Sequence, residues 1–281
     1  MFSSKLDIQR IQKIELEMLR YFDEVCEKNQ LVYYVCGGTL LGAVREAGFI
    51  PWDDDIDVMM PRKDYEWLLQ HRDEIFNGKY HLYDYRIDKK ENNPRRIPAL
   101  CDKSLKVKVL KGNMEREQYI FLDIFVLDGM PKGVIKRNIH YIFFSIWHLA
   151  LQLSWYDTTV NQYKTNRTLP GKLAIKFLNR FPFRPKWDSK KLVQKEHDIL
   201  KNFGWGHSDY VCSLLGPCHK KEILPKYYFS HCVKLQFEDL KVSAPAKYHE
   251  ILTHYYGNYM IPPTRREEKE LHHRIEIIEG K

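Results

Sequence analysis

Two aspartates, Asp55 and Asp57, open the apolar run IDVMM from within the acidic stretch DDDID. On an extended strand, residues two apart share a face, so both carboxylates project one way while Ile56 and Val58 point into a core. Such a pair offers oxygen ligands to a hard cation. Mg²⁺ (or Mn²⁺) suits that offer, since Mg²⁺ takes oxygen ligands and keeps positions open for substrate phosphates. Upstream, the run LVYYVC ends at Gly37, Gly38 and Thr39, a glycine turn whose backbone amides can face a phosphate. A third acid, Asp123, stands alone among apolar residues in YIFLDIFVL. An unpaired buried charge is expensive, so Asp123 on a neighbouring strand is the expected third ligand, with a structural salt bridge as the alternative. A cation so held would neutralise charge on a diphosphate and position attacking and leaving oxygens. Asp128, beside Gly129, reads as a turn residue. Asp53 and Asp54 read as loop acids or helix caps. A calcium loop starting at Asp53 fails, because its sixth position is Val58 rather than Gly and its twelfth is Asp64 rather than Glu.

The elements needed to hold these groups can be read from periodicity. Ser4 can cap a helix with Ile8, Ile11, Ile14, Met18, Phe22 and Val25 on one face. LVYYVC reads as a buried strand, TLLGAVREAG as a short helix closed by Gly48, IDVMM as a strand ended by Pro61, and 62–78 as a further helix. Strands are expected around 80–86, 97–102, 105–110 and 119–126, the middle pair joined by a polar turn. From about 132 the pattern turns mainly helical, near 134–155, 167–180, 189–203 and 245–256. The expected fold is therefore α/β (α+β): a mixed sheet flanked by helices over 1–131 as catalytic core, and a mainly helical region, 132–281, completing the core and the acceptor site.

The stretch GGTLLGAVREAGFIPWDDDIDV (37–58) resembles the signature of the LicD family, the phosphocholine transferases of bacterial surface glycans, to which the fukutin-type ribitol-phosphate transferases are related. The resemblance continues at YIFLDIFVLDGMP (119–131) and at FEDLKVSAPAKYHEILTHYYGNYMIPP (237–263). It implies a nucleotidyltransferase-like fold and a metal-dependent transfer of phosphocholine, or a related phospho-alcohol, from a CDP-linked donor to a hydroxyl of a glycan or glycolipid, with CMP released. It also implies that Gly37, Gly38 and Thr39 hold the donor phosphates, that Asp55 and Asp57 are the metal-binding pair with Asp123 the third acid, and that Arg45 acts on phosphate or cytidine. The reaction is an in-line displacement at phosphorus, governed by positioning and charge neutralisation. Which of Asp55, Asp57 or Asp123 takes the proton is left open. Two rivals stand beside it: a nucleotidyltransferase proper, releasing pyrophosphate, and a non-catalytic basic protein binding glycans or membrane surfaces.

Bulk properties bound the rest. The 281 residues carry 45 Lys and Arg against 37 Asp and Glu, a net charge of +8, so anions are favoured partners. No nucleic-acid module is visible, and nucleic acid is not expected as a partner. The first twenty residues lack the apolar stretch of a signal peptide, and six scattered cysteines read as reduced thiols. A cytoplasmic protein, peripheral to the inner membrane surface where acceptors are made, is the expectation. Residues 139–155 are too short an apolar run to span a bilayer. They read as a core helix burying Ile139, Ile142, Phe143, Ile146, Ala150 and Leu153, with His140, Phe144, His148 and Gln152 on another stripe, and a membrane-surface helix is the alternative. His207, Cys212, Cys218, His219, His231 and Cys232 lack zinc-site spacing and read as ordinary packed or surface residues. His272 and His273 read as tail residues, and the basic stretch from Lys89 to Lys111 as either an acceptor groove or a solvated face.

Overall fold

The computed structural model describes residues 5–88, 95–111, 114–156, 169–180, 187–263 and 274–278. Helix α1 (Lys5–Lys28) lays Ile11, Met18, Leu19, Phe22 and Val25 against the core. Burying one such side chain stabilises by about 1.5–3 kcal/mol. Ser4 lies outside the described residues. Strand β1 (Tyr34–Val35) leads into α2 (Gly37–Arg45), and β2 (Ile56–Pro61) into α3 (Arg62–Gln70) and the single turn α4 (Arg72–Ile75). Strand β3 (Tyr80–Tyr83) is followed by two long strands, β4 (Ala99–Lys111) and β5 (Met114–Gly129).

β2 and β5 run parallel at the centre of an eight-stranded mixed sheet ordered β1-β2-β5-β4-β10, where β10 is Arg274–Ile278. The near-continuous apolar runs of β2 and β5 suit strands covered on both faces. The register pairs Ile56 with Leu122, Asp57 with Asp123 and Val58 with Ile124. The sheet therefore sets the two acids side by side.

The two strands expected at 97–102 and 105–110 are one strand, β4, with a register shift between Asp102 and Lys106. Asp102 causes the irregularity: its Oδ1 accepts from Ser104 N at 2.8 Å and Ser104 Oγ at 2.6 Å, an Asx-type turn inside the strand. Gly48 does not close α2; the left-handed residue after that helix is Ala47, at φ 56°.

The C-terminal half contributes α5 (Val134–Ser154), α6 (Leu169–Arg180), α7 (Ser189–Leu200) and α8 (Tyr248–Tyr256), and also strands the sequence pattern did not reveal. Strand β6 (Tyr210–Cys212) pairs with the end of β5 and with β7 (Ile223–Pro225). Strands β8 (Cys232–Phe237) and β9 (Leu240–Pro245) form a separate hairpin.

Helix α5 faces opposite to the expected way. His140, Phe144 and Leu151 are buried, while Ile139, Ile142, Phe143 and Ile146 are exposed. The reason lies in α7, whose fully buried Glu196 places Oε1 2.9 Å from His148 Nδ1 and 3.8 Å from Arg96 NH1. The helix turns its polar stripe inward to satisfy that carboxylate.

A second buried polar cluster joins α3 to the sheet and α7. Asp84 accepts from Arg86 Nε at 2.9 Å and from the Tyr65 hydroxyl. Burial pushes the Asp84 carboxyl up, but the hydrogen bonds and charge of Arg86 overrule it and hold the pKa at about 2. A depressed carboxylate stabilises the fold above its unfolded pKa, near 3.8, and loses that contribution as pH falls through the folded value. Acid titration followed by circular dichroism should therefore show about 2 kcal/mol of stability disappearing between pH 4 and 2 in the wild type. Asp84→Asn should be less stable at pH 7 and lack that segment of the titration; an unchanged profile would refute the assignment.

Candidate functional site

Cys36 follows β1 in extended backbone at φ −141° and serves as N-cap of α2. Its N–H donates to Asp57 O at 3.0 Å, and Thr39 Oγ1 accepts from Asp57 N at 2.9 Å. Two backbone atoms of Asp57 are thus held by the start of α2. The first-turn amides of that helix, at Gly37, Gly38 and Thr39, have no intrahelical acceptors, and the positive end of the helix dipole lies beside the acids.

Glycine is required here by space. Gly37 adopts φ +54°, and a Cβ added to it would lie 2.8 Å from Asp57 Oδ2; one added to Gly38 would lie 2.4 Å from Asp53 Oδ2. Gly37→Ala should cost about 1–2 kcal/mol from the left-handed backbone and reduce turnover at least tenfold by displacing Asp57. Thermal melts and initial rates check both, and near-wild-type rates would show that the turn does not position Asp57.

A cleft of about 600 Å³ opens at this turn. Gly37, Gly38, Arg45, Asp53, Asp55 and Asp57 line it together with Glu222, Tyr255 and Tyr256. Arg45 Nε donates to Glu46 Oε1 at 2.8 Å and its NH1 to Tyr259 O at 3.3 Å, which anchors the guanidinium to the segment after α8. Asp123 is ion-paired with Arg95, whose guanidinium lies 3.5 Å from the centroid of the Phe121 ring. Asp123 thus occupies the position expected of a third acid and also makes the salt bridge weighed as its alternative.

The electrostatics of this corner are one-sided. Burial raises the Asp57 carboxyl well above the usual carboxylate range, reinforced by Asp55, Asp123 and Asp53 and opposed by Arg95. Oxygens of Asp53, Asp54 and Asp55 lie within 4.8 Å of one another. Asp53 and Asp54 are buried rather than solvated loop acids. Behind them, Glu15 of α1 is buried, and burial followed by Asp55, Asp54, Asp53 and Asp57 raises its carboxyl strongly. Concentrated carboxylates repel unless a cation lies among them, and an all-oxygen donor set fits Mg²⁺ or Mn²⁺. The residues present therefore suit such an ion.

Part of the lining is aromatic and acidic. Glu222 is buried and accepts from Tyr255 OH at 2.9 Å and Cys218 N at 3.1 Å. Burial, then Glu222, raises the Tyr255 phenol, whereas the neighbouring Tyr256 is 47% exposed. Glu222, Tyr255 and Tyr256 were not singled out in sequence, although the two tyrosines fall within the motif at 237–263. Glu15 and Glu222 carry no local signal, since only the fold brings Glu222 to the cleft and Glu15 behind its aspartates.

The basic stretch from Lys89 to Lys111 divides. Residues 89–94 and the Lys111 side chain lie outside the description, as do His272 and His273. Arg95 turns to Asp123, Arg96 donates to Leu215 O at 2.6 Å, and Lys103 is exposed. Among the described residues, the only metal-sized group of acids, histidines or cysteines is Asp53, Asp54 and Asp55, which takes in Asp55 but neither Asp57 nor Asp123 of the expected ligands.

A family model described as "LicD/FKTN/FKRP, nucleotidyltransferase domain" matches residues 30–141, which span α2, β2, β5 and all the acids of the cleft except Glu222. The chain is 30% identical over 272 residues to the lipopolysaccharide cholinephosphotransferase LicD of Haemophilus influenzae, covering 95% of this chain and 97% of that protein. It is also 27% identical over 116 residues to an uncharacterized protein of Rickettsia prowazekii, about two fifths of each chain. Similarity that runs nearly end to end, over a cleft built from the motif's own glycines and aspartates, makes this chain an enzyme of the LicD family.

Proposed function

We propose that the enzyme transfers phosphocholine from a CDP-linked donor to a hydroxyl of a cell-surface glycolipid precursor, with Mg²⁺ or Mn²⁺ bound by Asp55, Asp57 and Asp123, and releases CMP. The observation that carries this reading is that one cleft is lined by two unlike groups of residues. Acids beside a glycine-led helix start suit a metal-bound diphosphate, and aromatic rings beside a buried carboxylate suit a quaternary ammonium. The cation supplies charge neutralisation at the diphosphate when bound. Gly37 and Gly38 let the Asp57 and Asp53 carboxylates pack against the start of α2, whose amides suit the donor phosphates, and Thr39 fixes Asp57 through its backbone. Tyr255, Tyr256 and Glu222 face the cationic head of the donor. The lipopolysaccharide named for the Haemophilus protein is the model for the acceptor, and a nucleotide-activated donor puts the reaction on the cytoplasmic side.

The test is product analysis. With CDP-choline, Mg²⁺ and a glycolipid extract, acceptor-dependent CMP is expected; pyrophosphate in place of CMP would move the assignment to nucleotidyl transfer. CMP from CDP-ribitol or CDP-glycerol, with none from CDP-choline, would keep the reaction but replace the alcohol. Absence of CMP from all three would overturn the proposal.

A further inference from the structure

Helix α5 leaves an apolar stripe with nothing packed on it among the described residues. Ile135, Ile139, Ile142, Phe143, Ile146 and Leu149 follow helical spacing and are between 48% and 76% exposed. From Ile135 to Leu149 the stripe runs about 21 Å. Single exposed apolar residues are ordinary, but a contiguous row of this length marks a contact surface. Helix α6 carries exposed apolar residues of its own. Leu173 and Phe177, one turn apart, are exposed, and α6 is joined to the C-terminal end of α5 where Tyr156 OH donates to Asn179 Oδ1 at 2.9 Å.

Charge identifies what covers this face. Neither α5 nor α6 contains an Asp or Glu. Lys172, Lys176 and Arg180 follow one another at four-residue spacing and flank Leu173 and Phe177, while Lys136 lies in the first turn of α5. Apolar residues edged by long cations are the pattern of a helix lying in a bilayer interface, stems on the acyl region and charges at anionic headgroups. A second copy of this chain would set cations against cations across a two-fold axis. Neither helix is long and apolar enough to cross a membrane.

We propose that α5 and α6 form a docking face that lies flat on an anionic bilayer surface, with the Ile139–Ile142–Ile146 stripe inserted and the α6 cations on lipid phosphates. This rests on the two helices alone and not on the reaction assigned to the cleft.

Sedimentation of the full chain with vesicles tests it. Binding is expected to vesicles of phosphatidylglycerol and phosphatidylethanolamine, to be at least about tenfold weaker to phosphatidylcholine, and to weaken as salt rises. Ile139→Ser/Ile142→Ser/Ile146→Ser should lose binding about tenfold or more with circular dichroism and melting midpoint retained. Lys172→Gln/Lys176→Gln/Arg180→Gln, which leaves the stripe intact, should lose the preference for anionic lipid. Failure of the wild type to bind anionic vesicles overturns the proposal. So does a wild-type dimer, seen by light scattering, that the triple serine substitution disperses without any change in vesicle binding.

Discussion

Asp57→Asn should abolish at least 99.9% of turnover, about 4 kcal/mol of transition-state stabilisation, while raising the melting midpoint of the metal-free protein. The two effects share one cause. Asp57 lies in register with Asp123, beside Asp55 and Asp53, with its carboxylate against Gly37. Its native pKa is raised, so at neutral pH the ionised group costs folding free energy relative to the unfolded chain, and deleting the charge returns it. A gain of about 1 kcal/mol corresponds to a rise of about 2–4 °C in a chain of this size. Added Mg²⁺ or Mn²⁺ should stabilise the wild type by mass action and the variant far less. Melts with and without cation, together with initial rates of CMP release, decide the matter. A variant that melts lower than wild type without metal, or keeps a tenth of its rate, would mean that Asp57 does not stand in a metal-binding cluster.

The period-two spacing of Asp55 and Asp57 and the apolar setting of Asp123 were sufficient to expect neighbouring strands, because apolar runs of that kind can only be central. What periodicity cannot report is which neighbour a face meets. The stripes of α5 were legible, but their direction depended on Glu196, more than forty residues later, which draws His148 inward. Asp102 and Ser104 look like the turn between two strands because an Asx-type turn uses the same residues when it makes a bulge within one strand. Glu15 and Glu222 reach the site from an amphipathic helix and a short loop, where a glutamate ordinarily signals a solvated surface.

Asp128 shows the same limit and carries the largest stability effect. Next to Gly129 it reads as a turn residue, yet it is buried within β5, accepting from Arg62 Nε at 2.8 Å and NH2 at 2.7 Å. Arg62 also donates to Glu66 Oε1 at 3.0 Å and to His197 Nδ1 at 3.1 Å. Burial, then Arg86 and Arg62, holds His197 well below its ordinary range, so it is neutral and accepts without competing for the carboxylate. Removing one partner of a buried pair leaves the other uncompensated, so Asp128→Ala should destabilise by about 3–5 kcal/mol. Asp128→Asn retains the shape and one acceptor and should cost less. Replacing both partners, Arg62→Met with Asp128→Leu, should recover much of the loss, since no charge is then buried alone. Urea titration of the four proteins measures the cycle. Because α3 follows β2 directly, loosening Arg62 should also disturb the strand that carries Asp57, and turnover at temperatures well below the melt should fall in Asp128→Ala but return in the double variant. Additive losses in the cycle, or an Asp128→Ala protein within about 1 kcal/mol of wild type, would show that the Arg62–Asp128 pair does not bind α3 to the sheet.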